Sequence, residues 1–307
     1  MASASVSMGI LRCFETTSES PVRIGAARDA AVPSSRTMDA GPSMRRVLSF
    51  ESLTSGKYLP PRQSYSIWAI VGSLQTSWFL VMEKLGTGTS GLDRLLKGGF
   101  ALRRINLVYG EASTGKTILA MQSALVASAR GFKVFFVDAD LSFSVQRLES
   151  LDRGGEFAEN IVVFQPENFR EQSRITESME VMLSKTPALL IVDSVTGLYR
   201  ADIEKPGTVF VQNRELNRQL AYLSDLASRF ELTILLTGQV HSRPSGGSWL
   251  IAPVATRTLR HWSYLILRLR PTPRRDVREC LLEKIDGRDA RSSRALFRIG
   301  ETGLEDV

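Results

Sequence analysis

The stretch Ile105-Asn-Leu-Val-Tyr-Gly-Glu-Ala-Ser-Thr-Gly-Lys-Thr117 decides the fold of this chain. Residues 110–117 read Gly-x-x-x-x-Gly-Lys-Thr, which is the spacing of a phosphate-binding loop. The glycines permit backbone angles at which successive N–H groups turn inward around phosphate oxygens, and Lys116 adds a positive charge for the β- and γ-phosphates. The Thr117 hydroxyl can ligate Mg²⁺. The residues predicted to bind the phosphates of ATP are Gly110, Glu111, Ala112, Ser113, Thr114, Gly115, Lys116 and Thr117.

The sequence on either side of the loop fits this prediction. Ile105–Tyr109 is a short apolar run that is typical of a buried parallel strand. Thr117–Arg130 is a helical stretch ended by Gly131, and its N-terminus would point at a bound phosphate. A glycine-containing strand–helix turn with no ligand is the alternative. We favour the phosphate loop because strand, loop, lysine, hydroxyl and helix all agree.

Downstream of the loop, apolar strands alternate with helices. This alternation predicts an α/β fold with a mainly parallel sheet covered by helices on both sides. Towards the C-terminus, charged turns join the three strands Tyr264–Leu269, Val277–Lys284 and Ala295–Ile299, which predicts an antiparallel extension. The predicted strands are Lys133–Val137, Ile161–Phe164, Ala188–Val192, Leu232–Leu236, Tyr264–Leu269, Val277–Lys284 and Ala295–Ile299, and the predicted helices are Ile175–Leu183 and Leu216–Phe230.

Polar side chains follow three of the predicted strands. Asp193 ends an apolar strand, a pattern that holds Mg²⁺ through a water opposite Thr117. Asp138 and Asp140 are two residues apart, so we expect their side chains to share a face, where one can polarise an attacking water; a pair of solvated loop acids is the alternative. Gln239 can sense a γ-phosphate by hydrogen bonding, or it is a plain turn residue.

The composition is that of an ordinary globular protein, with 43% hydrophobic and 23% charged residues. The net charge is +7, and residues 256–298 alone hold twelve Arg/Lys against five Asp/Glu. This local excess permits nucleic-acid binding without requiring it. Cys13 and Cys280 lack metal-ligand spacing and suit a reducing compartment. His241 and His261 are the only histidines, which excludes a multi-histidine metal centre.

Residues 1–81 precede the first globular pattern and allow three interpretations. Residues 1–65 are rich in Ser, Ala, Pro and Arg without apolar periodicity, which predicts a disordered extension. Ser66–Met82 is uncharged, but its polar residues weaken a membrane span, and acidic residues near the start argue against a transit peptide. We favour a third interpretation, in which Met82 is the initiator and the preceding residues are an over-extended gene model. We therefore predict one domain over 82–307.

Four sequence segments, together with the phosphate loop, resemble known proteins. They are similar to the RecA/RadA recombinase superfamily, and most closely to the archaeal RadB proteins, over roughly three quarters of the chain. The KaiC-like branch of the superfamily shares the first segment and the loop but less of the later sequence. The segments are Thr87-Gly-Thr-Ser-Gly-Leu-Asp-Arg-Leu-Leu-Lys-Gly-Gly99, Asp193-Ser-Val-Thr-Gly-Leu-Tyr-Arg200, Arg214-Glu-Leu-Asn-Arg-Gln219 and Leu259-Arg-His-Trp-Ser263.

The resemblance implies a RecA-like P-loop ATPase core and roles for several residues. Residues 138–147 resemble the superfamily's Asp-Thr-Glu…Phe…Arg pattern, so Arg147 would pack on the adenine and Asp140 would take the place of the water-activating glutamate. Lys116, Asp140 and Gln239 form the implied catalytic set. Aspartate is shorter than glutamate by one C–C bond, about 1.5 Å. Because a base must reach its water, we expect slow hydrolysis.

A segment near the basic region is the predicted DNA interface. In the superfamily that this chain resembles, the loop corresponding to residues 241–256 faces single-stranded DNA. Here it is Gly/Ser-rich, with basic Arg243 and with Trp249, whose ring can stack on bases. Arg257 and Arg260 follow and can extend a surface that contacts phosphates. A solvated basic face and a core tryptophan are the alternative.

Two functions remain open. The first is an ATP- and Mg²⁺-binding, DNA-binding accessory protein of homologous recombination and DNA repair, with weak ATPase activity. Its expected partners are single-stranded DNA and a RadA-type recombinase, and its expected place is the cytoplasm, at the nucleoid. The second is an active ATPase, either a filament-forming recombinase or a KaiC-like oligomeric switch. The first is favoured by Asp140 and by a sequence upstream of the core that carries neither a Phe-x-x-Ala tether nor a resemblance to the recombinases' helical DNA-binding domain.

Overall fold

The computed structural model describes residues 10–11, 84–152, 158–184, 186–204, 207–245 and 248–307. Within these ranges the side chains of residues 241–253 lie outside the description, as do those of residues 10, 11, 159, 291 and 292. Apart from Ile10–Leu11, all predictions made for residues 1–81 fall outside the described residues. Among the residues with described structure, no helix is both long and apolar enough to cross a membrane.

Strands and helices alternate through most of the described chain. The strands are β1 (Ile10–Leu11), β2 (Lys84–Leu85), β3 (Phe100–Ala101), β4 (Ile105–Gly110), β5 (Lys133–Asp138), β6 (Ile161–Phe164), β7 (Ala188–Asp193), β8 (Leu232–Gly238), β9 (Val240–Ser245), β10 (Ser248–Pro253), β11 (Leu265–Pro271), β12 (Val277–Ile285), β13 (Arg288–Gly300) and β14 (Gly303–Asp306). The helices are α1 (Ser90–Leu95), α2 (Lys116–Ala129), α3 (Val145–Leu151), α4 (Phe169–Met182), α5 (Gly197–Ile203), α6 (Val209–Arg229) and α7 (Thr256–Trp262), and Ala158–Asn160 forms a 3₁₀ turn.

One large sheet runs through the molecule in the order β1-β6-β5-β7-β8-β4-β11-β12-β13-β14. From β1 to β11 every neighbouring pair is parallel, and from β11 to β14 every pair is antiparallel. The mainly parallel sheet with a C-terminal antiparallel extension is therefore confirmed. Its border differs from the prediction, because β11 was expected within the extension. β11 instead pairs in parallel with the phosphate-loop strand β4 and antiparallel with β12.

Helices cover both faces of the parallel part of the sheet. On one face, apolar residues of α4 and α6 form a single buried cluster with alternate strand residues. The residues predicted to share one face of α6 all belong to it, namely Leu216, Leu220, Leu223 and Ala227. On the other face α2 contacts β5, β7 and β8, and none of its residues joins that cluster. Burial on both faces explains why the strands are apolar throughout rather than alternating.

Two helices begin earlier than their apolar period predicts. α4 begins at Phe169, where Asn168 caps it by accepting a hydrogen bond from the Glu171 N–H over 2.9 Å. α6 begins at Val209, and its first residues are apolar but exposed, with Phe210 78% exposed. Apolar residues that stay largely exposed do not follow the core-facing period, so the sequence pattern missed this turn.

Candidate nucleotide-binding site

The predicted phosphate loop connects β4 to α2 at the carboxyl ends of the parallel strands. An added Cβ at Gly110 would lie 2.2 Å from the carbonyl oxygen of Leu269 on β11, so no side chain fits there. Gly115 has a φ of 95° and serves as the N-cap of α2. Because that backbone conformation is left-handed, it strongly favours glycine. Each glycine of the motif is therefore required for a different structural reason. The N-terminus of α2 faces the loop.

Lys116 folds back over its own loop. Its Nζ donates to the carbonyl oxygens of Gly110 and Glu111, over 3.0 and 2.7 Å. Burial lowers the pKa of the lysine, and the negative charges of Asp193, Asp140 and Glu111 oppose that shift. A phosphate that entered the loop would replace weak carbonyl acceptors by charged ones, which suits a partly desolvated ammonium group.

Asp193 ends β7 and meets Thr117 directly. The Thr117 hydroxyl donates to Asp193 Oδ2 over 2.6 Å, and the Thr237 hydroxyl at the end of β8 donates to Asp193 Oδ1. Asp193 is only 2% exposed. Burial raises the pKa of its carboxyl group, and the hydrogen bonds from the two hydroxyls oppose that rise. The predicted Mg²⁺ pair is thus brought together. The two side chains are joined by a direct hydrogen bond.

Two residues that the sequence did not single out complete this carboxylate's surroundings. Ser142, in the turn after β5, places its Oγ 3.4 Å from Asp193 Oδ2 and 3.4 Å from Thr117 Oγ1. Thr237 lies one residue beyond the predicted strand Leu232–Leu236 and was given no role. Its position directly before Gly238 and Gln239 was an available signal, since a hydroxyl at the carboxyl end of a buried strand faces the nucleotide edge.

Asp138 and Asp140 differ in burial, so the alternative of two solvated loop acids is wrong for Asp138. Asp138 is fully buried and accepts hydrogen bonds from the backbone N–H groups of Ser142 and Phe143, over 2.9 and 3.2 Å, and from Gln165 over 3.1 Å. β5 ends at Asp138, so the strand's alternation no longer applies two residues later. Asp138 is therefore occupied in shaping the turn, and it is not a solvated loop acid.

Asp140 is exposed and lies among groups from the next two strands. Its Oδ1 accepts from the Ser194 hydroxyl over 3.1 Å, and its Oδ2 accepts from the Gln239 side-chain amide over 3.0 Å. Gly197 packs so closely that an added Cβ would lie 2.0 Å from Asp140 Oδ1. Two of the predicted catalytic residues are thus in contact. No local sequence signal indicated that residue 197, which packs against Asp140, leaves no room for a side chain.

Arg147 connects α3 to the turn between β13 and β14. Its guanidinium donates to the carbonyl oxygens of Glu301 and Gly300, over 2.8 and 2.7 Å. That turn also lies beside the phosphate loop, because Ile299 and Leu304 would both be 3.3 Å from a Cβ placed on Gly115. Packing of Arg147 on an adenine stays a prediction. Its guanidinium group is bonded to the two carbonyl oxygens of this turn.

The predicted DNA segment is a hairpin rather than an irregular loop. Strands β9 and β10 pair antiparallel, with Arg243 opposite Leu250 and Trp249 opposite Pro244. The Val254 N–H donates to the Gln239 carbonyl over 3.0 Å and closes the hairpin's base. The side chains of Arg243 and Trp249 lie outside the described part of the structure, so their contact with DNA stays a prediction.

Arg257 and Arg260 lie on α7 and differ in their surroundings. Arg260 forms ion pairs with Glu283 and Asp289, over 3.0 and 2.6 Å. Arg257 is exposed, and within the described residues no acid lies within ion-pair distance of it. The charge of Arg260 is therefore partly neutralised inside the protein, while that of Arg257 faces solvent.

This geometry agrees with known proteins over most of the chain. The family model described as Rad51 matches residues 80–307. The chain belongs to the Rad51 family. It is 37% identical over 228 residues to the DNA repair and recombination protein RadB of Thermococcus kodakarensis, which covers 73% of this chain and 99% of that protein. The corresponding protein of Pyrococcus furiosus is 35% identical over 230 residues, covering 73% and 96%.

A solved structure leads to the same family. A crystal structure of the RadB recombinase matches with a TM-score of 0.62 and 37% identity, covering 73% of this chain and 99% of that one. The predicted resemblance to archaeal RadB proteins and the RecA-like fold class are therefore confirmed. Both relatives and the solved structure are RadB proteins, the branch that the sequence predicted.

Proposed function

We propose that this member of the Rad51 family binds ATP and Mg²⁺ at residues 110–117. The contact between Thr117 and Asp193 is the observation that carries the proposal, because it places a hydroxyl and a carboxylate side by side beneath the loop. Hydroxyl and carboxylate oxygens are ligands that suit Mg²⁺, which keeps waters and takes phosphate oxygens as its other ligands. Lys116, at the N-terminus of α2, would meet the phosphates.

A role in DNA recombination and repair follows from the family, whose matched relatives are DNA repair and recombination proteins. Within that role we propose an accessory protein that acts beside a RadA-type recombinase on single-stranded DNA, in the cytoplasm at the nucleoid. The hairpin β9–β10 begins directly after Gln239, so a nucleotide sensed by that side chain would act on the base of the hairpin. Arg257, which is exposed and pairs with no acid of the described residues, supplies a positive charge for the DNA backbone.

Hydrolysis would be slow because the water-activating position holds an aspartate. The carboxylate of Asp140 is held by hydrogen bonds from Ser194 and Gln239, and Gly197 packs closely against its Oδ1. General-base assistance depends on hydrogen-bond reach to the attacking water. A carboxylate that does not reach the attacking water activates it poorly. We therefore expect ATP binding and switching rather than rapid ATP turnover.

The decisive experiment is ATP turnover measured with and without single-stranded DNA, together with size-exclusion chromatography with and without ATP. An accessory protein hydrolyses ATP slowly in both conditions and elutes as a monomer or small oligomer. Fast, DNA-stimulated turnover with an early-eluting assembly would favour the alternative, an active recombinase or an oligomeric switch. No detectable binding of ATP·Mg²⁺ would contradict both.

A further inference from the structure

A polar pocket of about 300 Å³ lies at the end of the sheet opposite the phosphate loop. Its walls come from the turn before β4, the end of α7, the residue before β11 and the turn between β12 and β13. Parallel strands place their carboxyl ends at the nucleotide edge, so this pocket, at the amino ends of β4 and β11, is separate from the nucleotide site. Its volume is at the lower end of the range for small-ligand sites.

Three cations line this pocket, and no acidic residue does. Arg104 is exposed and stacks over the ring of Tyr264, with 5.2 Å from its Cζ to the ring centroid. Arg103 approaches one acid, Glu231, at 3.5 Å, and both side chains are about half exposed. Exposed pairs at such distances contribute little, so most of the positive charge of this pocket is not neutralised by the described residues.

Lys284 supplies the third charge and is held in place by the backbone. Its Nζ donates to the carbonyl oxygens of Arg260 and Ser263, over 2.8 and 2.7 Å. An ammonium group has three N–H donors, so one remains for a ligand. Burial lowers the pKa of Lys284 and the positive charge of Arg260 lowers it further, while the negative charge of Asp289 opposes both. A bound anion would offset both effects.

Ser263 adds an independent observation. It lines the pocket and is only 2% exposed, yet its Oγ is buried without a hydrogen-bond partner among the described residues. An unsatisfied buried hydroxyl is costly, and such groups in native proteins usually have a partner that the protein alone does not supply. Two exposed arginines and one half-buried lysine beside an unsatisfied hydroxyl suit an acceptor that carries negative charge.

We propose that this pocket, formed by Arg103, Arg104, Ser263 and Lys284, binds a phosphate group. Arginine and lysine N–H groups, with a hydroxyl donor beside them, match the several acceptor oxygens of a phosphate. The phosphate belongs either to a small ligand or to a nucleic-acid strand, since both present the same oxygens. The pocket is a second anion site, and it does not depend on ATP binding at residues 110–117.

The test uses the full chain with Lys116→Ala, which removes the charge of the phosphate loop. Pyrophosphate binding is measured by isothermal titration calorimetry, and binding of a single-stranded oligonucleotide is measured in parallel. Arg104→Ala and Ser263→Ala are then added singly. Arg170→Ala is the matched control, because Arg170 is an exposed arginine on α4 outside the pocket. Thermal melting checks folding, and Ser263→Ala should melt no lower than its parent, since it removes an unsatisfied group.

Retained pyrophosphate binding that weakens at least about tenfold with Arg104→Ala and with Ser263→Ala, but not with Arg170→Ala, supports a small phosphate ligand. The same pattern seen only with the oligonucleotide supports a strand phosphate. If neither probe binds, or if both pocket variants bind like the control, the proposal is overturned. Rising salt should weaken the interaction in either supporting case.

Discussion

The carboxylate of Asp140 accepts a hydrogen bond from the side-chain amide of Gln239 over 3.0 Å. The two residues follow β5 and β8, which are not neighbours, because β7 lies between them in the sheet. Ser194, directly after β7, bridges the gap by donating to the same carboxylate over 3.1 Å. The position of Asp140 is therefore set by three strand ends together rather than by its own turn, and this defines what a substitution there can change.

Asp140→Glu should raise kcat for ATP hydrolysis and leave KM nearly unchanged. The added methylene extends the carboxylate towards the attacking water, and the side chain contacts no predicted phosphate-binding residue. General-base assistance is worth about 10²–10⁴-fold, so even partial repair is measurable in steady-state kinetics. Asp140→Asn is the control and should not raise kcat. A flat response to both substitutions would move the cause of slow turnover from this carboxylate to subunit assembly.

Lys116→Ala should abolish tight binding of ATP·Mg²⁺, because the ammonium group is the strongest point charge in a loop otherwise made of backbone dipoles. Fluorescence titration with a labelled ATP analogue measures the change. Lys133→Ala is a suitable control, since Lys133 is exposed at the opposite, amino end of β5. Wild-type affinity in Lys116→Ala would contradict the phosphate-loop prediction.

Asp193→Asn should change folding stability and metal binding in opposite directions at neutral pH. Burial raises the pKa of Asp193, so its protonated form is favoured in the folded state. Its contribution to stability is therefore greatest at low pH and is lost as the pH rises above the usual carboxyl value of about 3.9. Without nucleotide, the Tm of Asp193→Asn relative to wild type should increase between about pH 4 and pH 7. The stabilisation that ATP·Mg²⁺ gives to wild type should be largely absent.

The contrary result for this variant is equally clear. A Tm difference that does not change with pH would show that the ionised carboxylate costs the folded state nothing. Unchanged stabilisation by ATP·Mg²⁺ in Asp193→Asn would remove Asp193 from the metal site. Differential scanning fluorimetry at several pH values, with and without nucleotide, gives both readouts.

Arg257 and Arg260 form a matched pair for testing DNA binding. Arg257→Ala should weaken binding to single-stranded DNA and lower the slope of log affinity against log salt by about 0.7, the value for one phosphate contact. Arg260→Ala should change that slope less, because Glu283 and Asp289 already take up its charge. Fluorescence anisotropy at several salt concentrations measures both. Equal effects, or an affinity independent of salt, would contradict the predicted interface.

A chain that begins at Met82 should bind ATP·Mg²⁺ and melt like the full chain, because residues 1–65 offer no core-forming pattern and β1 adds only the two edge residues Ile10–Leu11 to the sheet. Thermal melting and nucleotide titration of the two chains side by side give the comparison. Lost solubility or lost nucleotide binding in the shorter chain would show that the N-terminal region belongs to the fold.

Local chemistry explains which features were predictable. The phosphate loop could be read from residues 110–117 because its spacing, its lysine and its flanking periodicities all lie within one short stretch. Asp193 could be placed because it directly follows the apolar run Ala188–Val192. The partners of Asp140 could not, since Gln239 is 99 residues away and its contact depends on strand order. The burial of Asp138 was also missed, because an acid at a strand end looks the same in sequence whether its turn folds over it or not.

Non-local pairing accounts for the remaining differences. β11 has the composition expected of either a parallel or an antiparallel strand, and only its neighbours β4 and β12 decide that it is both. Similarly, Arg260 reads in sequence as a free cation of a basic region. Its acids lie 23 and 29 residues away and meet it only once β12 and β13 have formed.

The pairing of β11 has a consequence for how the chain can be divided. Its residues Leu265–Leu269 lie beside Asn106–Gly110, and the Leu269 carbonyl oxygen packs against Gly110. A shortened chain that ended before Leu265 would leave β4 at the edge of the sheet, paired only with β8, with the backbone N–H and C=O groups of its other side open to other chains. The segment from β11 to β14 is therefore not a detachable addition to a nucleotide-binding module. Any shortened form that is meant to keep the loop's shape must keep this strand and protect its outer edge.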